Sequence, residues 1–322
     1  MTPAERYNLV RWSPAGTDGL VESWSLSLHL PESGLAYDLR FVLRRPLPGL
    51  GKPAGSLLAS CAHVSGDQAH GCDTFPLADL AASRSRFWLR IGPGELSLGR
   101  ACGRVESGGG FDWDLTFETG SATLVLYPAE SMVTGPFPAC KYLTPLVSTR
   151  FYGTIRAGRQ SFRVDGAPGV QGHAWGPFLP GFRTRVHALR FDDEDDAVFD
   201  AVTTPLRVGA ISLPDVTLAG LRLRGREVVF NGPRALLANR VRAGDRSWEY
   251  EGASNGVRVA ARFSAEPAVI GRVQETSSDG LPVTYRRCLL ADGSVEVEGL
   301  PGGRIHLAGR KNAILEFAGT AP

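Results

Sequence analysis

The sequence predicts an all-β chain with little helix, and three observations carry that prediction. Its 39 Gly and 22 Pro among 322 residues are spread without a period, an arrangement costly in helices and natural in turns. Apolar and polar residues alternate with period two in many short segments. Helical periodicity is confined to Leu77–Ser85 and Ala235–Val241, both short.

The elements follow in order. Trp24, Leu26, Leu28 and Leu30 share one face of an extended segment, with Ser23, Ser25, Ser27 and His29 on the other. Pro31-Glu-Ser-Gly34 then supplies turn chemistry before Leu35 to Arg44, so residues 21–45 read as a β-hairpin. Short strands follow at Phe87–Ile91, Glu95–Leu98, Ala101–Glu106, Phe111–Glu118 and Ala122–Tyr127, separated by Gly, Pro or Ser. After the Pro-rich Gly135-Pro-Phe-Pro138, a second set runs from about residue 147 to 317. Two sheets or barrels in tandem are expected, as domains 1–165 and 166–322.

Composition excludes several function classes. Lys and Arg total 35 against 33 Asp and Glu, which gives no electrostatic basis for nucleic-acid binding. Apolar stretches are broken far short of the roughly 20 residues of a membrane helix, so no span is expected, while a peripheral membrane contact stays open. Met1-Thr-Pro-Ala-Glu-Arg-Tyr-Asn shows no secretory pattern and the five Cys show no repeated spacing, so cytoplasm is the expected location. Gly92-Pro-Gly94 and Gly108-Gly-Gly110 stand between strands with no helix after them and read as turns, not phosphate loops. The strands say nothing of oligomeric state.

Four constellations carry chemistry. Cys61-Ala-His63 with His70-Gly-Cys72 would offer four zinc donors if the pairs converged on a hairpin, although the spacing matches no common module and an ordinary loop is the simpler reading. The acidic run Asp192–Asp196 reads as a solvated turn. Gly172-His-Ala-Trp-Gly176 places His173, able to relay a proton near neutral pH, beside Trp175, an aromatic wall; the alternative is a structural corner. Arg183, Arg185 and His187 form a polar row on one strand face, facing solvent or orienting a ligand.

Trp24 with its hairpin, the segment Gly103 to Leu115, Tyr142-Leu-Thr-Pro145, Gly153-Thr-Ile155, Gly172-His-Ala-Trp-Gly176 and Ala313-Ile-Leu-Glu-Phe317 together resemble the tandem lipocalin-like family. It includes bacterial AttH-like proteins, carotenoid 1,2-hydratase (hydroxyneurosporene synthase) and, more distantly, tocopherol cyclase and fungal decalin-forming Diels–Alderases. The resemblance spans residues 20 to 317 and implies two lipocalin-like β-barrel domains with an apolar cavity for an isoprenoid, lipid or polyketide, within or between them. It implies no cofactor and no metal. Hydratase and cyclase members carry Asp directly before the residue matching His173, whereas this chain has Gly172. Asp165, Asp112 and Asp114 are the candidates to replace that acid.

The expected function is a cofactor-independent hydratase, cyclase or isomerase acting on a hydrophobic small molecule. His173 or Asp165 would be the acid, with Trp24, Trp113, Tyr142, Trp175, Arg185 and His187 at the substrate. A non-catalytic lipid or isoprenoid carrier is the first alternative, and a ligand-free structural β protein the second.

Overall fold

A computed structural model describes the chain except residues 121, 178–180, 193, 195, 206, 209–210, 213 and 319–322. It divides into two compact units: Met1–Val125 with Cys140–Leu179 and Glu275–Val283, and Leu126–Ala139 with Pro180–Gln274 and Thr284–Pro322. The chain is all-β, with two large antiparallel sheets. Among the described residues no helix is long and apolar enough to cross a membrane.

In the first unit a short helix α1 (Pro3–Asn8) precedes eleven strands: β1 (Leu20–Leu30), β2 (Leu35–Arg45), β3 (Ala54–His63), β4 (Gln68–Pro76), β5 (Leu80–Ser83), β6 (Trp88–Ile91), β7 (Gly94–Ser97), β8 (Arg100–Val105), β9 (Phe111–Phe117), β10 (Lys141–Ala157) and β11 (Gln160–Gly176). They pair in the order β4-β3-β2-β1-β11-β10-β9-β8-β7-β6-β5. Neighbours in sequence are neighbours in the sheet, except that β4 and β5 stand at its two ends and β1 pairs with β11, Trp24 opposite His173. The sheet curls over itself: a side chain at Gly55 of β3 would meet Leu80 and Ile91, and one at Gly94 of β7 would meet Leu57 and Phe41. The inward face packs Trp24, Phe41, Trp113, Phe151 and their neighbours into one apolar core, so the barrel is filled by side chains.

The second unit repeats the plan with β12 (Thr184–Ala188), β13 (Val198–Thr204), a small ladder β14 (Arg207–Val208) and β15 (Ile211–Ser212), β16 (Val216–Leu223), β17 (Arg226–Phe230), β18 (Arg240–Ala243), β19 (Ser247–Ser254), β20 (Val257–Ser264), β21 (Ile270–Thr276), β22 (Pro282–Leu300) and β23 (Gly303–Ala318). Its sheet order is β17-β16-β13-β12-β23-β22-β20-β19-β18, with β21 on β22. Again the first strand closes onto the last, β12 onto β23. Phe199, Trp248, Tyr250 and Phe263 centre its core. A helix α2 (Glu130–Thr134) and a helix α3 (Pro233–Ala238) are its short helical turns.

Several expectations are corrected. The boundary at 165/166 falls inside β11, which runs unbroken to Gly176 because its second half pairs with β1. Leu77–Ser85 is a 3-10 turn followed by β5, whose pairing with β6 overrides its weak helical periodicity. Ala122–Tyr127 contributes one isolated bridge, Leu124 to Thr144, not a strand. The Cys61 and Cys72 segments form a regular hairpin, β3 and β4. The acidic run lies partly outside the described residues; within it Glu194 bridges to Phe191.

Candidate functional site

His173 faces the inside of the first barrel at the end that α1 covers. Its Nδ1 donates to the carbonyl of Tyr7 at 2.6 Å, and its Nε2 lies 2.9 Å from Oε1 of Glu22. The ring stacks on Trp24, with centroids 4.6 Å apart and planes 10° from parallel, and packs on Trp175 at 4.8 Å. Burial holds the imidazolium below its ordinary range, against the opposite pull of Glu22 and the Tyr7 carbonyl.

Glu22 accepts from the backbone N–H groups of Arg11 at 3.0 Å and Trp12 at 2.6 Å. Asn8 and Gln171 exchange amide hydrogen bonds at 2.7 and 2.5 Å, and Trp24 Nε1 donates to the Asn8 carbonyl at 3.2 Å. The Arg11 guanidinium lies 3.7 Å over the Trp175 ring, a cation–π contact. This network fastens the N-terminal segment to the barrel and occupies both His173 nitrogens. The alternation of β1 could have flagged Glu22, because it falls in phase with Trp24, Leu26, Leu28 and Leu30, a carboxylate on an apolar face.

Of the expected site residues, the structure brings Trp24, His173 and Trp175 together. Trp113 faces the same interior but packs edge-on against Phe41. Tyr142 pairs with Ala174 and so points to the other side of the sheet from His173. Asp165 is exposed, 3.5 Å from Arg163, and lies eight residues, about 26 Å, along β11 from His173. Asp112 and Asp114 sit on the outer side of β9, paired with Arg156 and Arg100. None of these three carboxylates reaches His173.

Adjacent strand residues point to opposite faces, so Gly172 does not share the His173 side. It pairs with Ser25 on the face that carries Ser23, Ser27 and His29, all buried. On the same face of β2 lie Asp38 and Arg40, also buried. Ser27 Oγ donates to Asp38 at 2.5 Å, Arg40 Nε donates to Asp38 at 2.9 Å, and Arg40 Nη1 reaches Glu275 at 3.3 Å. His29 stands opposite Ala36, a diagonal neighbour of Asp38. Sequence reading missed Asp38 and Arg40 because they alternate with Tyr37, Leu39 and Phe41 as solvent-facing residues do.

In the second unit Arg185 and His187 face away from the apolar core and are buried. Arg185 lies 3.6 Å from Glu316, which Arg287 approaches at 2.8 Å, and His187 Nδ1 lies 3.1 Å from Asp200. The proposed zinc donors do not converge. Cys61 pairs with Ala69 and Ser60 with His70, so Cys61 and His63 lie on one face of the hairpin and His70 and Cys72 on the other. Among the described residues no cluster of three or more His, Cys, Asp or Glu is placed to hold a metal ion.

No protein-family model matches the sequence, and no curated protein matches it. Solved structures do match over almost the whole fold. A candidate AttH protein from Nitrosomonas europaea aligns with a TM-score of 0.53 at 13% identity, covering 95% of this chain and 96% of its own. Kievitone hydratase from Nectria haematococca aligns with a TM-score of 0.53 at 10% identity, covering 96% and 91%. At these identities the likeness is one of fold.

Proposed function

We propose that this protein is a hydratase-type enzyme that moves a proton and water on a hydrophobic natural product of the isoprenoid, carotenoid or polyketide kind, using its own acid–base residues. The fold likeness to kievitone hydratase and the candidate AttH protein supports the reaction class. The observation that carries the reading is the buried Ser27–Asp38–Arg40 group on the face where Gly172 replaces the family acid. Asp38, held in place by Arg40 Nε at 2.9 Å, is the base that takes a proton from water or from carbon. Ser27 orients it. His29, on the same face, is the proton donor, and His173 acts at a distance by holding β11 and the N-terminal segment in register.

The test is label incorporation in deuterated and 18O water, read by mass spectrometry on prenylated phenols and acyclic carotenoids with their hydrated forms. Wild type should exchange label, Asp38→Asn should lose at least about 100-fold of the rate, in line with removing a general base, and His29→Gln should also slow it. Retention of label exchange in Asp38→Asn would remove Asp38 from the reaction. Substrate bound by wild type with no exchange would make the protein a carrier.

A further inference from the structure

The loops that join β2 to β3 and β21 to β22, residues 46–53 and 277–281, both belong to the first unit. Their backbones meet: Leu47 N donates to the Ser278 carbonyl at 2.8 Å, and a side chain at Gly280 would stand 3.6 Å from the Leu50 carbonyl oxygen. Together they hold out Leu47, Leu50 and Leu281, which are 40, 52 and 62% exposed. Pro48 and Pro282 beside them are exposed as well. Each leucine gains by leaving water, so three of them at the tips of two adjoining loops mark a contact surface.

The backbone of these tips is already hydrogen-bonded within the loops. The N–H of Leu50 goes to the Leu47 carbonyl at 3.0 Å, that of Leu281 to Oδ1 of Asp279 at 3.1 Å, that of Gly280 to the Ser277 carbonyl at 3.1 Å and that of Ser277 to the Leu281 carbonyl at 3.0 Å. Pro46, Pro48, Pro53 and Pro282 have no N–H to satisfy. A loop in water needs none of this, because water accepts from any free donor. A loop entering lipid does, since an unpaired N–H there has no acceptor. The charges fit the same reading. Asp279 also accepts from Ser277 Oγ, Arg45 donates to the Ser13 and Asp18 carbonyls, and the stem of Lys52 can lie along an apolar surface with its ammonium in water. Arg45 and Lys52 balance Asp18 and Asp279, so the tips carry no net charge.

We infer that these two loops dock the protein on the surface of a lipid bilayer, with Leu47, Leu50 and Leu281 inserted at the boundary of headgroups and acyl chains and Lys52 at the phosphates. Three half-exposed leucines present only a few hundred Å², well below the roughly 800 Å² that each partner brings to a stable protein interface. A bilayer sets no such minimum. The inference does not rest on the reaction proposed above: the contact would bring an enzyme or a carrier alike to the phase in which a hydrophobic molecule dissolves.

The experiment floats the full chain with phosphatidylcholine vesicles on a sucrose gradient. Wild type should rise with the vesicles. The double variant Leu50→Glu with Leu281→Glu, changed only at exposed positions, should keep the wild-type melting temperature and bind at least about tenfold more weakly. Leu237→Glu, at an exposed leucine of α3, should bind like wild type. Insertion is read separately and needs neither variant: phosphatidylcholine brominated on its acyl chains should quench the added indole of Leu50→Trp and leave wild-type fluorescence nearly unchanged, because the native Trp side chains are buried or half-buried. Replacing a third of the lipid by phosphatidylglycerol should change binding little, since the tips have no net charge. Wild type left at the bottom of the gradient, a double variant that floats as well as wild type, or an unquenched Leu50→Trp would overturn the inference. So would binding that appears only with phosphatidylglycerol and vanishes in salt, which would assign it to charge, or a dimer in sedimentation velocity that the double variant loses, which would make a second copy the occupant.

Discussion

Oε1 of Glu22 and Nε2 of His173 lie 2.9 Å apart with both side chains shut off from solvent. The other His173 nitrogen reaches the Tyr7 carbonyl, and the other Glu22 oxygen takes the Arg11 and Trp12 amides. Two side chains thus join β1, β11 and the segment that follows α1. The motif around His173 is in this chain a fastening point before it is anything else.

Removing the carboxylate should release that fastening. Glu22→Ala strips acceptors from two backbone N–H groups and from His173, and breaking a buried pair of this kind costs about 3–5 kcal/mol. Denaturant unfolding should show the loss, and limited trypsin digestion should cut first after Arg6 and Arg11. Glu22→Gln, which keeps an acceptor for Trp12, should lose less. Wild-type stability and protease resistance in Glu22→Ala would contradict the assignment.

The same pair sets a pH dependence. Burial holds the folded His173 below its ordinary value, whereas the unfolded chain takes up that proton near pH 6.5. Below about pH 6.5 the unfolded state therefore binds more protons, and the His173 contribution falls by up to about 1.4 kcal/mol per pH unit; above it the contribution is fully present. The check is the difference between wild type and His173→Gln in urea unfolding from pH 8 to 5. A wild-type advantage that grew on acidification would mean that Glu22 outweighs burial and would reverse the sign.

Much of the fold is written locally. The alternation around Trp24 specifies β1 and its inward face, and Gly34, with φ of 63°, permits the tight turn into β2. The helix α1 went unread, although Thr2-Pro-Ala-Glu5 has the residue pattern of a capping box and Thr2 Oγ1 accepts from Glu5 N at 3.2 Å. What local pattern does not contain is closure. That Trp24 meets His173 is a pairing between strands about 150 residues apart, and β11 continues past 165 only because β1 is there to pair with it. Burial of Asp38 and Arg40 is equally non-local, since period-two alternation marks which residues share a face and not whether that face is wet. Trp175 and Trp24 were singled out by type and spacing, and both rings pack on His173; Asp165 was not excluded because a distance along β11 needs the strand to be known.

Zinc should not stabilise the β3–β4 hairpin. Cys61 and His63 share one face and His70 and Cys72 the other, and burial raises both thiols, disfavouring the thiolate that zinc requires. The melting temperature should be the same with zinc as with chelator, and Cys72→Ser should change neither. A zinc-dependent rise abolished by Cys61→Ser and Cys72→Ser alike would show that the hairpin rearranges to bring the pairs together.

The strongest electrostatic test lies in the second unit, where Glu316 sits between two guanidinium groups, 2.8 Å from Arg287 and 3.6 Å from Arg185. All three are buried, and Arg287 also donates to the Tyr285 hydroxyl at 2.8 Å. Glu316→Leu leaves two like charges facing each other in a desolvated place, whereas Arg185→Met leaves Glu316 its shorter contact. Glu316→Leu should therefore cost more, about 3–5 kcal/mol, as for removal of one partner from a buried pair. Arg287→Met should cost nearly as much, because the remaining contact is the longer one. The double variant Arg287→Met with Glu316→Leu should lose less than the sum of the single losses, with a coupling of about 1–3 kcal/mol. Additive losses in that cycle, measured by denaturant unfolding, would mean that Arg287 and Glu316 contribute through packing and not through their charges.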